Sequence, residues 1–189
     1  MLFDMILPGA VAEEPFAFEY SGNYTDNRDA DGKGTVRLNT SGTLVTTGKT
    51  VKVRVYILGA GGGGAQNTYI SLGSASGGGG GNQTVEVELV PGTYEIVIGT
   101  GGAGAYYRGS YTAGNGGDTT AFGVTSTGGD GGQSNISSSS ATPGNGGTPN
   151  GASGSKGATA GGSPNGGASN GGSAAANNGG DGYVELTFI

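Results

Sequence analysis

Cysteine, histidine and tryptophan are all absent from this chain of 189 residues. Without cysteine there is no disulfide framework and no thiolate nucleophile, and the redox compartment is left undetermined. Without histidine as well, zinc sites of the usual kinds and any Ser-His pair drop out. Charge is also scarce, at 12% of residues, with 8 Lys and Arg against 14 Asp and Glu for a formal net charge of -6. The few cations form no basic stripe, so a nucleic-acid partner is not expected. No apolar run is long enough to span a bilayer: "MLFDMILPGAVA" carries Asp4 in its middle and has no basic n-region, so neither a signal peptide nor membrane insertion is expected. Residues 1–20, broken by Pro8 and Pro15, read instead as an N-terminal docking segment.

What the chain has is glycine, 46 residues of it, against 33% hydrophobic residues. That is too little apolar bulk for an ordinary core, yet the low charge also separates the chain from typical disordered proteins. Clear strands interrupt the glycine. In "VKVRVYIL", Val51, Val53, Val55 and Ile57 alternate with Lys52, Arg54 and Tyr56, the period of a half-buried strand. "QTVEVELVPGTYEIVI" reads as two strands reversing at Pro91-Gly92, with Val85, Val87 and Leu89 and then Tyr94, Ile96 and Ile98 on the apolar face. "YVELTFI" closes the chain with Val184, Leu186 and Phe188 inward and Glu185 outward. Strands are expected over about 51–58, 83–90, 93–98, 119–127 and 183–189, with cross-strand charge pairs from Lys52 and Arg54 to Glu86, Glu88, Glu95 and Glu185. The fold class expected is mainly β: a small antiparallel sheet or sandwich base, with almost no α-helix.

Two readings compete for "GAGGGG", "SGGGGGN", "GTGGAGA", "GNGGD" and "GGDGG". Glycine with Ser and Asn ordinarily makes flexible linker. Linkers separate domains, however, whereas these runs sit directly before and after strands that must return to one sheet. The second reading is an ordered bundle of polyglycine-II helices, three residues per turn and rising about 3.1 Å per residue. Ordering a residue costs about 1–2 kcal/mol and a hydrogen bond returns about 0.5–1.5 kcal/mol net, so many runs must pack together. "GGTPNG" and "GGSPNG" offer repeated reversals, with Pro149 and Pro164 fixing φ and Asn150 and Asn165 tolerating left-handed geometry. Gly151, Gly154 and Gly157 recur every third residue.

At "LNTSGTLVTTGKTVKVRVYILGAGGGG", "VELVPGTYEIVIGTGGAG", "GGDTTAFGVTSTGGDGG" and "GGDGYVELTFI", the sequence resembles the glycine-rich domain of bacteriophage tail fibres and receptor-binding adhesins. The likeness covers about residues 21–189 and lies in the order of strands and glycine runs. It implies a β base carrying a polyglycine-II layer, loops at the far end that recognise a host, and attachment to other virion proteins through the N-terminal segment. The location implied is the virion surface, and the assembly usual for fibres is a homotrimer, although no coiled-coil pattern is present. The inserts between runs are short for an adhesin. A head fibre or capsid decoration protein, an ice-binding protein and an extracellular glycine-rich structural protein stay open as alternatives; an ice-binder needs a flat Thr or Ala array, which strand alternation does not supply.

Candidate receptor-binding residues are Tyr69, Tyr106, Tyr107, Arg108 and Tyr111, large side chains set among small ones. Aromatic faces with polar edges suit a host surface glycan, or they cap the bundle or an oligomer contact. Asn27, Asp29 and Asp31 resemble the first half of a calcium loop, but Leu38 stands where its bidentate Glu belongs, and a hairpin turn at Asp31-Gly32 accounts for them. The glycine runs lack a phosphate-loop motif and no helix follows them, so neither a cofactor nor catalysis is expected.

Overall fold

The computed structural model describes residues 14–67, 74–107, 111–135, 141–155, 164 and 176–189. The first strands are β1 (Ala17–Tyr20), β2 (Tyr24–Arg28), β3 (Gly34–Leu38), β4 (Gly42–Thr47) and β5 (Val51–Leu58). Beyond the first glycine run come β6 (Ala65–Asn67), β7 (Asn82–Leu89), β8 (Gly92–Ile96) and β9 (Ala105–Tyr107). Short strands β10 (Tyr111–Thr112), β11 (Thr119–Ala121), β12 (Val124–Ser126) and β13 (Gln133–Ser134) precede the closing β14 (Tyr183–Phe188). No helix occurs among the described residues.

Two antiparallel sheets form the base. The larger runs β2-β3-β14-β5-β7 and the smaller β1-β4-β8. Alternation places Val53, Val55 and Ile57 with Val184, Leu186 and Phe188 on the inner face of the larger sheet, opposite Leu44 and Ile96 of the smaller. Phe16, Phe18 and Tyr20 pack against the same core. Ala17–Tyr20, read from sequence as part of the docking segment, thus form a strand paired with β4 from Ala17↔Thr47 to Tyr20↔Leu44.

The reversal at Pro91-Gly92 joins two sheets rather than two neighbouring strands. β7 pairs with β5, from Val51↔Leu89 to Leu58↔Asn82, whereas β8 pairs with β4. Both strands turn an apolar face to one core, and they do so from opposite sides of it. Lys52 and Arg54 stand opposite Glu88 and Glu86 in register, while Glu95 belongs to the other sheet. Among the described residues the ion pair within 4 Å is Arg28–Asp26, at 2.7 Å. The "TTAFG" and "VTST" segments make a two-residue hairpin, β11 to β12, with Phe122 and Gly123 at φ 52° and 76°. Positive φ at both loop residues is the mirror-image turn that suits strand twist, and the Phe122 ring lies 5.3 Å from that of Tyr94.

Backbone bonding in the run 59–64 has a three-residue rhythm. Gly59 and Gly62 donate to the carbonyls of Gly81 and Gly78, at 2.8 and 2.9 Å. Ala60 and Gly63 donate to Gly117 and Gly114, and Gly61 and Gly64 to Gly180 and Asn177. Acceptance follows suit: the carbonyls of Ala60 and Gly63 take the N–H of Gly129 and Gly132, and those of Gly61 and Gly64 take Gly102 and Ala105. Runs 75–81, 113–117 and 177–180 therefore lie antiparallel to this one, and runs 101–105 and 128–132 parallel to it. Every residue of 59–64 is buried, so these bonds satisfy groups that water does not reach.

Close approach explains the glycine. A Cβ on Gly62 would collide with the carbonyl of Asp130, and one on Gly63 with that of Ala103. Among the described residues the glycines with positive φ, Gly32, Gly34, Gly48 and Gly123, all belong to the sheet base or the β11–β12 hairpin, so the described runs use glycine for its missing side chain and not for left-handed turns. Asn150 does turn left-handed, at φ 64°, at the reversal the sequence marks. Gly151 and Gly154 donate to Gly147 and Gly144. Gly157 and Asn165 lie outside the described residues.

Candidate functional site

The far end of the glycine layer gathers four short strands. β6 pairs with β9 in parallel, from Ala65↔Ala105 to Asn67↔Tyr107, and β10 pairs with β13 through Tyr111↔Ser134 and Thr112↔Gln133. β10 and β13 both contact β6. Tyr106, Tyr107 and Tyr111 are thereby brought to one end of the molecule, with Tyr111 44% exposed. Tyr69 and Arg108 lie outside the described residues. Beneath these strands the interior is polar: Gln66, Asn67, Ser74, Ser76 and Ser134 are buried, and Asn67 Nδ2 donates to the Asn135 carbonyl at 2.7 Å.

Asn27, Asp29 and Asp31 occupy the reversal between β2 and β3. Asp29 Oδ1 accepts the N–H of Asp31 at 3.0 Å and of Lys33 at 2.9 Å, and Gly32 takes φ 77°. That carboxylate oxygen closes its own turn. Beside it, hydrogen bonds from the Arg28 guanidinium hold the Asp26 carboxyl below its usual range. On the outer face of the larger sheet Arg37 stacks 3.5 Å from the Tyr183 ring centre, and Tyr56 lies 5.6 Å from that ring. Burial pushes the Tyr56 phenol up, and Tyr183 and Glu185 add to the effect.

A third arrangement is not evident from composition. Three runs carry the heptapeptides TAGNGGD (112–118), TGGDGGQ (127–133) and TPGNGGT (142–148), each with a polar residue at its first, fourth and seventh places. Ala113 and Gly116 donate to Gly132 and Gly129, which sets the first two runs antiparallel with Thr112, Asn115 and Asp118 beside Gln133, Asp130 and Thr127. Gln133, Asp130 and Thr127 in turn donate their N–H to Thr142, Asn145 and Thr148. The result is three rows of three polar side chains, about 9–10 Å apart along a run and about 4.8 Å across. The recurrence is present in the sequence, but its meaning depends on which runs are neighbours.

Some of these side chains complete the backbone bonding. Asn115 Oδ1 and Asp118 Oδ1 accept the N–H of Gly131 and Gly128, each at 2.9 Å. A second N-G-G-D, at 178–181, repeats the device: Asn178 Oδ1 and Asp181 Oδ1 accept from Gly104 and Gly101 at 2.9 and 2.7 Å. Residues three apart project to one side of an extended run, so this motif offers two oxygens to two glycines three apart. Between the rows, Thr112, Asn115, Asp130, Gln133, Thr142 and Asn145 line a cavity of about 310 Å³.

A family model described as a glycine-rich domain matches residues 36–188, from within β3 to the last residue of β14. No curated protein matches the chain.

Proposed function

This chain belongs to the glycine-rich domain family, and on that premise we propose that it is a structural component of a bacteriophage virion: a tail fibre, tail tip or similar surface appendage. The observation that carries the reading is the run 59–64, wholly buried and bonded to five other runs. We read the runs as polyglycine-II helices, because each step of three residues returns to the same neighbour and no described run glycine has positive φ. Such a bundle is stiff without a large apolar core. It suits a protruding stand that holds a few side chains away from the particle.

In this reading the base is the particle-facing end, and residues 1–13, which precede the sheet, dock with other virion proteins. Tyr106, Tyr107 and Tyr111 at the far end meet a host surface glycan. The protein's role is structural and recognitive, without catalysis. Electron microscopy of particles labelled on this chain tests the assignment, with label expected on a surface projection; label absent from particles refutes it. Deleting residues 1–13 should leave a folded base and abolish incorporation, whereas deleting residues 1–20 removes β1 and should also destabilise the sandwich. Replacing the three tyrosines by Ala should reduce adsorption to host cells while incorporation is kept.

A further inference from the structure

We propose that the groove between the three polar rows is a binding site for a neutral saccharide unit. Six polar groups on residues that line it make no hydrogen bond among the described residues. Asn115 Nδ2 is free because its Oδ1 accepts from Gly131, and Asp130 Oδ1 and Asn145 Oδ1 are free because Asn145 Nδ2 donates to Asp130 Oδ2 at 2.9 Å. The Gln133 carboxamide and the hydroxyls of Thr112 and Thr142 complete the set.

The chemistry of the set selects the ligand. The set holds both donors and acceptors, which fits hydroxyl groups, each of which both gives and takes a hydrogen bond. Asp130 is the single charged side chain in the lining, with no Lys or Arg, so an anion is repelled. A cavity of about 310 Å³ with one carboxylate is too large and too weakly charged to be built for a bare cation. The rows stand on hydrogen-bonded runs, so the backbone gives up little freedom when a ligand arrives. The ligand class is the one invoked for the tyrosine end, but the groove is a separate surface and needs no viral context.

The test is a titration of the purified full chain with the methyl glycosides of glucose, galactose, mannose and N-acetylglucosamine, followed by NMR of side-chain amides. Saturable shifts of the Asn115, Gln133 and Asn145 amide signals with at least one glycoside are expected. The Gln133 side chain makes no hydrogen bond among the described residues, so Gln133→Ala should weaken that binding about tenfold, and Thr142→Val should do the same. Lys52→Ala, at an exposed position of β5 in the base, should leave it unchanged. No response to any glycoside overturns the inference, as does a response to calcium chloride alone, or ice-growth inhibition without a glycoside response. Binding that survives Gln133→Ala and is lost in Tyr111→Ala also overturns it, while supporting the tyrosine-end reading above.

Discussion

Asn115 Oδ1 lies 2.9 Å from the amide nitrogen of Gly131 and accepts its hydrogen, doing for this glycine what a neighbouring backbone carbonyl does for Gly63. The bundle therefore needs side-chain oxygens as well as bare backbone. Asn115→Ala should destabilise the protein by about 1–3 kcal/mol, since the Gly131 amide is buried and loses its acceptor. Asn115→Asp keeps the oxygen and should recover most of the loss. Denaturant midpoints for the pair check this; equal midpoints for the Ala and Asp variants would remove the acceptor role.

Gly62→Ala places a methyl group against the Asp130 carbonyl in a wholly buried run. The expected loss is about 1–3 kcal/mol or more. Gly92→Ala, where an added Cβ meets nothing closer than the Val90 carbonyl at 3.8 Å, should instead be neutral or stabilise by about 0.4–1 kcal/mol. Thermal unfolding of the two variants separates close packing from glycine entropy, and similar effects at both sites would contradict the packing argument.

Amide exchange reads the ladder directly. The N–H groups of Gly61, Gly62 and Gly63 should exchange only through global opening, as slowly as those of Val53 and Val55 in β5. Exchange of these glycines at random-coil rates would mean that the runs are not held.

Alkali should loosen the base through Tyr20. Its burial pushes the phenol up to about 12, from 10.0. A raised value means that the folded state holds the proton more tightly, so this contribution is complete below pH 10 and is lost as pH rises through about 12. Tyr20→Phe should lower stability at neutral pH, because the hydroxyl donates to the Thr40 carbonyl. It should also flatten the decline between those limits. Unfolding free energy measured against pH for both proteins tests the sign.

Much of the base is legible in alternation. Val51–Ile57 and Tyr183–Phe188 have a strict period of two, and burial follows it, until Leu58 is buried beside Ile57 where β5 enters the first glycine run. Partner choice is less legible: the pattern of β7 and β8 says which face is apolar but not which sheet each joins, and Pro91-Gly92 looks the same in a hairpin and in a crossover. β1 is hidden because two prolines nearby suggest a separate segment, although Phe16, Phe18 and Tyr20 already alternate. For the bundle, closeness of runs 59–64 and 77–81 follows from the return of the chain to the sheet. The polar rows do not, because Thr112, Gln133 and Thr142 become neighbours only through pairings between distant runs.

The position of β14 between β3 and β5 sets the order in which the molecule assembles. Both neighbours are complete by Leu58, yet they bond to a strand more than a hundred residues later, and Gly61 likewise waits for Gly180. Contacts of such span make folding slow, because loop closure comes before the contacts that reward it. A nascent chain would hold its apolar strands open until residues 183–188 emerge, so capture by chaperones or slow refolding from denaturant is the cost of threading the last strand through the middle of the sheet.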